Sequence, residues 1–189
     1  MNQDSNTNIF YLFHGGNKWT NIPTEFNLST KGRYECGVGL YLTNNYNTAR
    51  QYAKGSRVVQ KVGIDSNYRD ISTVKVELAE LIDFIKNVPM MRKKTEIIEL
   101  LEDYSIRTRT TLIPLIILNN LIVNYEAGSG NVGKRILNFF VEHGADAMKY
   151  HHSGDEWWFI VFNPNIIKTA KYIDPKTVDK STFDINQIP

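Results

Sequence analysis

The apolar residues of this chain repeat with two different periods, and the order of those periods restricts the fold. Between residues 9 and 65, short apolar runs separated by turn-rich segments predict β-strands, whereas between residues 76 and 143 apolar residues recur every three or four positions, as in helices. Strand-like runs return from residue 147 onward. Strands, then helices, then strands indicate an α+β fold and disfavour a doubly wound parallel sheet.

The same pattern predicts individual elements. A short helix through residues 49–53 has Asn47 or Thr48 as its N-cap and Gly55 just beyond its end. A helix tolerates Pro114 only in its first turn, so the third helix of the middle segment is predicted to begin near Thr111. The predicted strands are residues 9–13, 38–42, 57–64, 147–150, 157–162 and 169–172, and the predicted longer helices are residues 76–88, 95–102, 112–125 and 133–143.

Length and composition predict one domain. The chain has 189 residues, of which 42% are hydrophobic, and this is enough for a sizeable core. No internal repeat or low-complexity tract divides it. We therefore predict a single domain, residues 1–189, in which a helical insertion at about residues 73–143 separates two halves of a sheet.

Charge, cysteine content and hydropathy exclude several classes of protein. With 22 Lys and Arg against 20 Asp and Glu, the chain lacks the positive excess of a protein that coats nucleic acid. The single Cys36 makes neither an intramolecular disulfide nor a multi-thiolate metal site, which favours a reducing compartment or a fold that needs no disulfide. The chain does not open with a secretory leader, and its longest apolar run, residues 112–123, is too short to cross a bilayer. We predict a cytoplasmic protein with no membrane partner.

Three segments carry residues suited to binding a planar ligand. His14 precedes Gly15, so an imidazole stands beside a backbone that a ligand can approach closely. Tyr41 and Tyr52 follow a glycine-rich strand start and offer two flat faces, and Glu156 stands at the start of an apolar strand. Each segment alone also fits an ordinary turn, core packing or a solvated acid. Their occurrence together, in this order, favours a binding site.

Other binding motifs are missing or weak. No dinucleotide-binding or P-loop glycine motif follows a strand, and the glycine-rich segment 128–135 has the wrong spacing for one. His151 and His152 are neighbours on a predicted strand and point to opposite faces, so we predict no metal site. Basic residues with an aromatic neighbour in residues 92–109 fit either a nucleic-acid contact or, more simply, solvated helix faces.

The segments LFHGG, GVGLYLT, ARQYA and EWWFIVFNPNIIK resemble the ADP-ribosyltransferase family of the His-Tyr-Glu type, the branch of diphtheria toxin and poly-ADP-ribose polymerase. The chain looks most similar to small ADP-ribosyltransferase-like domains of phage and bacterial conflict systems. The resemblance covers residues 9–52 and 145–167, and it implies a split antiparallel sheet and NAD as co-substrate. The helical middle segment lies outside it.

The resemblance also implies roles for individual residues. His14 would hydrogen-bond a ribose of NAD, and the backbone of Gly15 would hold the nicotinamide carboxamide. Tyr41 and Tyr52 would sandwich the nicotinamide ring, and Glu156 would be the catalytic acid, acting with His14 and Tyr41. One carboxylate suffices for this chemistry, because nicotinamide leaves NAD as a neutral molecule and needs no general acid, unlike the leaving group in glycoside hydrolysis.

The chain departs from the family at this carboxylate. Aligning the apolar core of the last strand places Trp158 where the family has glutamate, and Glu156 lies two residues earlier, about 7 Å along a strand but on the same face. Three explanations stay open: a bulge or shifted register that moves Glu156 into place, the use of Asp155 or another acid, or a fold that binds NAD without transferring ADP-ribose.

The function predicted from these residues is transfer of ADP-ribose from NAD to a macromolecule, RNA, DNA or protein, by a toxin or phage-defence effector. A neutralising antitoxin is an expected partner, and the apolar residues 112–123 are its predicted docking face. The alternatives are a catalytically reduced NAD-fold binding module and an NAD glycohydrolase, in which water accepts the sugar.

Overall fold

The protein has an α+β fold organised around one large antiparallel sheet. The computed structural model describes residues 8–28, 34–53, 58–125 and 130–174. Within these residues the strands are β1 (Ile9–Gly16), β2 (Leu40–Thr43), β3 (Val58–Asp65), β4 (Lys75–Glu77), β5 (Leu112–Pro114), β6 (Ala147–Ser153), β7 (Glu156–Val161) and β8 (Ile167–Tyr172), and the helices are α1 (Tyr46–Tyr52), α2 (Leu78–Asn87), α3 (Lys94–Thr108), α4 (Leu115–Tyr125) and α5 (Gly130–Glu142).

The large sheet consists of two three-stranded halves with a narrow junction. Its strand order is β6-β7-β2-β1-β3-β8, and every neighbouring pair is antiparallel. β1 pairs with β3 along its whole length, from Ile9↔Asp65 to Gly16↔Val58. In contrast, β1 and β2 share a single register pair, Phe13↔Thr43. The two halves therefore diverge from this point.

The segment between β3 and β6 contains the helices predicted there, but it also contains two strands. Lys75–Glu77 and Leu112–Pro114 pair as a separate two-stranded sheet, in which Val76 lies opposite Ile113. Both of these apolar residues are buried. They therefore continued the apolar spacing of the helices that follow them, although they belong to strands packed in the core. The predictions of helix at residues 76–77 and 112–114 are therefore wrong, and Pro114 ends a strand.

Two further local predictions differ from the structure. The N-cap of α1 is Asn45, whose side chain accepts the backbone N–H groups of Asn47 and Thr48, so neither of these is the cap. Helix α3 continues to Thr108, and its C-cap residue, Arg109, adopts left-handed backbone angles. The apolar pattern stops earlier because the last turns of α3 face solvent. Gly55 and Arg57, used in predicting a helix end and a strand start, lie outside the described residues.

One face of the large sheet carries the helices, and this face also positions the site. Phe13, Thr43 and Trp158 are in register across β1, β2 and β7, so their side chains share a face. Trp158 belongs to the main core, which includes buried residues of α2 to α5, whereas Phe13 packs against Tyr46 and Ala49 of α1. The helices of the insertion thus cover one half of this face, and α1 covers the other half.

The segment 112–123 is not, as a whole, the exposed docking face that the sequence predicts, although Leu112 is 45% exposed. Ile113, Leu115, Leu118 and Ile122 are at most 2% exposed and pack in the main core. If this segment were exposed, the main core would lose these side chains. Among the described residues, no helix has the length and hydropathy needed to cross a bilayer.

Candidate active site at the junction of the sheet halves

A cavity of about 350 Å³ lies where the two sheet halves separate. Its walls come from the end of β1, from β2, from α1 and from the segment that precedes β2. Four residues singled out from the sequence line it together: His14, Gly15, Tyr41 and Tyr52. These residues are distant in sequence, and the divergence of β1 from β2 brings them around one space.

His14 bridges the gap between the two halves. Its Nδ1 lies 3.0 Å from the carbonyl oxygen of Tyr41. A carbonyl only accepts, so Nδ1 carries the proton and donates it. Burial lowers the pKa of His14, although the hydrogen bond to Tyr41 opposes that shift. The imidazole is therefore neutral at pH 7, and its Nε2 is a hydrogen-bond acceptor. Trp19 stacks on the ring, with centroids 5.0 Å apart.

The backbone of Gly15 supports α1 at very close range. A Cβ at this position would lie 1.7 Å from the carbonyl oxygen of Ala49 in α1, so no side chain fits. This contact is a sufficient reason for glycine at position 15, and no bound ligand is needed to explain it. It also sets the distance between β1 and α1, the helix that ends with Tyr52. Tyr52 is 57% exposed and stands at the cavity wall.

Tyr41 anchors the segment that leads into β2. Its hydroxyl donates to the carbonyl of Gly37 at 2.7 Å and accepts the N–H of Cys36 at 3.0 Å. Burial is the main cause of the raised pKa of this phenol, so it stays protonated. With its hydroxyl engaged in this way, Tyr41 presents only its ring to a ligand, and Trp158 packs edge-on against that ring, with centroids 6.0 Å apart.

Glu156 lies next to the cavity but is not among the residues that line it. Its carboxylate accepts four hydrogen bonds, from Thr43 (3.4 Å), Asn45 (3.1 Å), Thr48 (2.9 Å) and the indole N–H of Trp158 (2.8 Å). Glu156 and Trp158 share a face of β7, as their spacing predicted. β7 pairs with β2 in unbroken register, and the irregularity nearby lies in β6, between His151 and Ser153.

The cavity contains a carboxylate that the sequence interpretation did not single out. Glu35 is exposed and lines the cavity, whereas Asp155 is exposed but outside the lining. The available signal was an acid two residues before the glycine-rich GVGLY segment, in a turn-rich segment between two predicted strands. Trp158 also lines the cavity, so the residue at the position expected for glutamate forms part of its wall.

The remaining polar candidates have structural partners. The ring of His152 stacks on Trp158, with centroids 4.0 Å apart, and His151 contacts Trp157. Within the described ranges, no three His, Cys, Asp or Glu residues are grouped closely enough to hold a metal ion. Of the basic residues in 92–109, Lys93 pairs with Glu96 and Arg107 with Asp103 on the surface of α3. These pairs are typical of solvated helix faces.

Comparisons with known proteins add no family to this picture. No protein-family model matches the chain, and neither curated proteins nor solved structures gave a match. The argument for function therefore rests on the cavity and on the chemistry of the residues around it.

Proposed function

We propose that the protein is an NAD-dependent ADP-ribosyltransferase that modifies a macromolecular acceptor. The observation that carries this proposal is the convergence of His14, Gly15, Tyr41 and Tyr52 on one cavity. The order of their segments in the chain resembles one enzyme family, and a cavity is what that resemblance requires. We extend the proposal to a toxin or phage-defence effector, with RNA, DNA or protein as acceptor and a restraining partner protein.

The cavity is chemically suited to the nicotinamide end of NAD. The ring is a cation, and aromatic faces such as those of Tyr41 and Tyr52 attract cations. Because His14 is neutral, it does not repel this charge, and its Nε2 can accept a hydrogen bond from a ribose hydroxyl. When the bond between C1′ and the ring nitrogen breaks, the electron pair goes to nitrogen and neutral nicotinamide leaves. The site must then stabilise positive charge on the sugar, which a nearby carboxylate does best when water is excluded.

The direct test is transfer of label. The purified protein is incubated with NAD labelled in the adenylate part and with total protein, RNA or DNA from bacterial cells. We expect release of nicotinamide and label in one acceptor class. If the folded protein releases no nicotinamide and labels nothing, the proposal is wrong. Nicotinamide release without macromolecular label indicates the glycohydrolase alternative.

A pair of tyrosines tests whether the cavity is the NAD site. Tyr52 stands at the cavity at the end of α1, and Tyr125 stands at the end of α4, outside the cavity lining, with a similar exposed fraction (57% and 45%). We expect Tyr52→Ala to weaken NAD binding about three- to tenfold through loss of a ring contact. Tyr125→Ala is the matched control and should leave the dissociation constant unchanged. Equal effects of the two variants, measured by calorimetry, would contradict the assignment.

One observation favours the second candidate, a module that binds NAD without transferring ADP-ribose. Trp158 fills the position expected for the family's acid, and all four hydrogen bonds to Glu156 come from the protein itself. NAD binding with no nicotinamide release, even with every acceptor class present, would support this alternative.

A further inference from the structure

Resting on the proposed function, we propose that the carboxylate that contacts the nicotinamide-bearing ribose is that of Glu35, and that Glu156 is a positioning residue. The two acids differ in what surrounds them. Glu156 is saturated by internal donors behind the wall of the cavity, and Glu35 is exposed on the wall itself.

The coordination of Glu156 leaves no acceptor site for a substrate. A carboxylate has two oxygens with about four lone-pair directions. Glu156 uses Oε1 for Thr43 and Trp158 and Oε2 for Asn45 and Thr48. Contact with a ribose hydroxyl would require breaking one of these bonds. The bonds instead connect β7 to the end of β2 and the start of α1, which sets the spacing of two cavity walls.

The backbone directly after Glu35 is held by contacts with the core, while the Glu35 side chain itself is exposed. Cys36 donates its N–H to the hydroxyl of Tyr41, and its carbonyl accepts a hydrogen bond from the amide of Asn119 at 3.0 Å. Asn119 is 1% exposed and belongs to α4. Gly37 has a φ of 121°, and a Cβ there would lie 2.2 Å from the Asn119 oxygen. The segment is therefore fixed against the core directly after Glu35.

The charge of Glu35 acts within the site. The pKa of the Cys36 thiol is raised to about 11, mainly by burial and in second place by the nearby carboxylate of Glu35. The same carboxylate is among the causes, after burial, of the raised pKa of Tyr41. An anion that influences Tyr41 is also placed to stabilise positive charge on the ribose whose nicotinamide ring stacks on that tyrosine.

The step balances without any further reactant. The bond between C1′ and the nicotinamide nitrogen breaks and its electron pair stays on nitrogen, while an oxygen or nitrogen of the acceptor forms the new bond to C1′. The acceptor's proton passes to the Glu35 carboxylate and then to solvent, which is accessible because the side chain is exposed. The products are ADP-ribosylated acceptor, neutral nicotinamide and a proton.

The experiment compares three Glu→Gln substitutions in the full chain. Glu35→Gln removes the cavity charge, Glu156→Gln keeps the shape of the positioning residue, and Glu99→Gln, exposed on α3, is the matched control. For each variant, kcat and KM for nicotinamide release from NAD and the melting temperature are measured. We expect Glu35→Gln to lower kcat about tenfold with an unchanged melting temperature, which is less than for removal of one charge-stabilising group from a water-excluded site because Glu35 is exposed. Glu35→Asp should restore part of kcat.

For Glu156→Gln we expect a lower melting temperature and a higher KM for NAD, because the amide replaces one acceptor by a donor that faces other donors. Glu99→Gln should match the unchanged protein. If the unchanged protein is active and Glu35→Gln stays within twofold of its kcat, the inference is wrong and the proposed function stands. Loss of kcat in Glu156→Gln at an unchanged melting temperature also overturns the inference. If the unchanged protein is inactive, the proposed function fails, and the inference fails with it.

Discussion

The two sides of β1 are held in different ways. On the side of β3, eight register pairs form a continuous ladder of backbone hydrogen bonds. On the side of β2 there is one register pair, and beside it the His14 side chain donates a hydrogen bond to the backbone of Tyr41. The neighbouring elements are also held by specific residues, since Gly15 contacts Ala49 of α1 and the bonds to Glu156 join β7 to β2 and α1. A ladder fills the space between strands with backbone, whereas a junction held by side chains leaves room for a ligand.

This difference shows why function is expected at the second junction. Backbone ladders tolerate many side chains, because the bonds do not depend on residue type. A junction held by side chains depends on the identity of each of them. The substitutions below test whether the β1–β2 junction is the more sensitive of the two.

The largest effect is expected for Gly15→Ala. The added Cβ would lie 1.7 Å from the backbone oxygen of Ala49, and α1 must move to relieve the clash. We expect the free energy of unfolding to fall by about 3 kcal/mol, the upper part of the range for overpacking, and NAD binding to be lost. The matched change on the β3 side is Gly63→Ala, whose Cβ would meet side-chain atoms rather than backbone, the nearest being Thr169 Oγ1 at 2.4 Å. Chemical denaturation should show a loss of about 1 kcal/mol for Gly63→Ala. Equal losses would remove the distinction between the two junctions.

A smaller effect is expected for Glu156→Ala. Four donors lose their shared acceptor, and water replaces only part of it because the carboxylate is half-buried. We expect a loss of about 2 kcal/mol in the free energy of unfolding. Asp155→Ala is the control, because the amide of Asn44 donates to the backbone carbonyl of Asp155, which alanine keeps. A loss in Asp155→Ala as large as in Glu156→Ala would show that the turn, and not the carboxylate, connects β7 to β2.

The smallest effect is a dependence of stability on pH at His14. Burial lowers its pKa in the folded protein below the 6.5 of the unfolded chain, so the unfolded chain binds a proton first as the pH falls. The neutral imidazole makes its full contribution to the free energy of unfolding above pH 6.5. This contribution decreases as the pH falls from 6.5 toward the lowered pKa. As the pH is lowered from 7.5 to 5.5, we expect the unfolding free energy of the unchanged protein to fall relative to that of His14→Gln. A constant difference over that range would contradict a buried neutral His14.

Much of the fold followed from periodicity, and the exceptions have physical reasons. The α+β composition and all six strands of the large sheet were predicted to within a few residues, because short apolar runs bounded by turn residues leave a clear pattern. Val76 and Ile113 were assigned to helices because short buried strands next to helices look like the first turn of those helices. The end of α3 was missed because solvent-facing turns carry no apolar signal.

The candidate site was predicted in part. His14, Gly15, Tyr41 and Tyr52 were singled out from local motifs, and they line one cavity, while their role in binding NAD remains a prediction. Glu35 was missed because its one local signal, a position two residues before the glycine-rich segment, does not separate an acid at a cavity from an acid in a solvated loop. The assignment of residues 112–123 to an exposed docking face was wrong because apolar composition does not reveal which neighbours cover a segment.

The sequence by itself determined where strands and helices alternate and which short motifs stand at strand ends, because these depend on residues near one another in the chain. Only the tertiary structure decided that β1 and β2 meet at a single pair, that the oxygens of Glu156 are occupied by the protein's own donors, and that Glu35 stands at the cavity. Those properties depend on contacts between segments up to 113 residues apart, such as Thr43 with Glu156, and no local pattern records them.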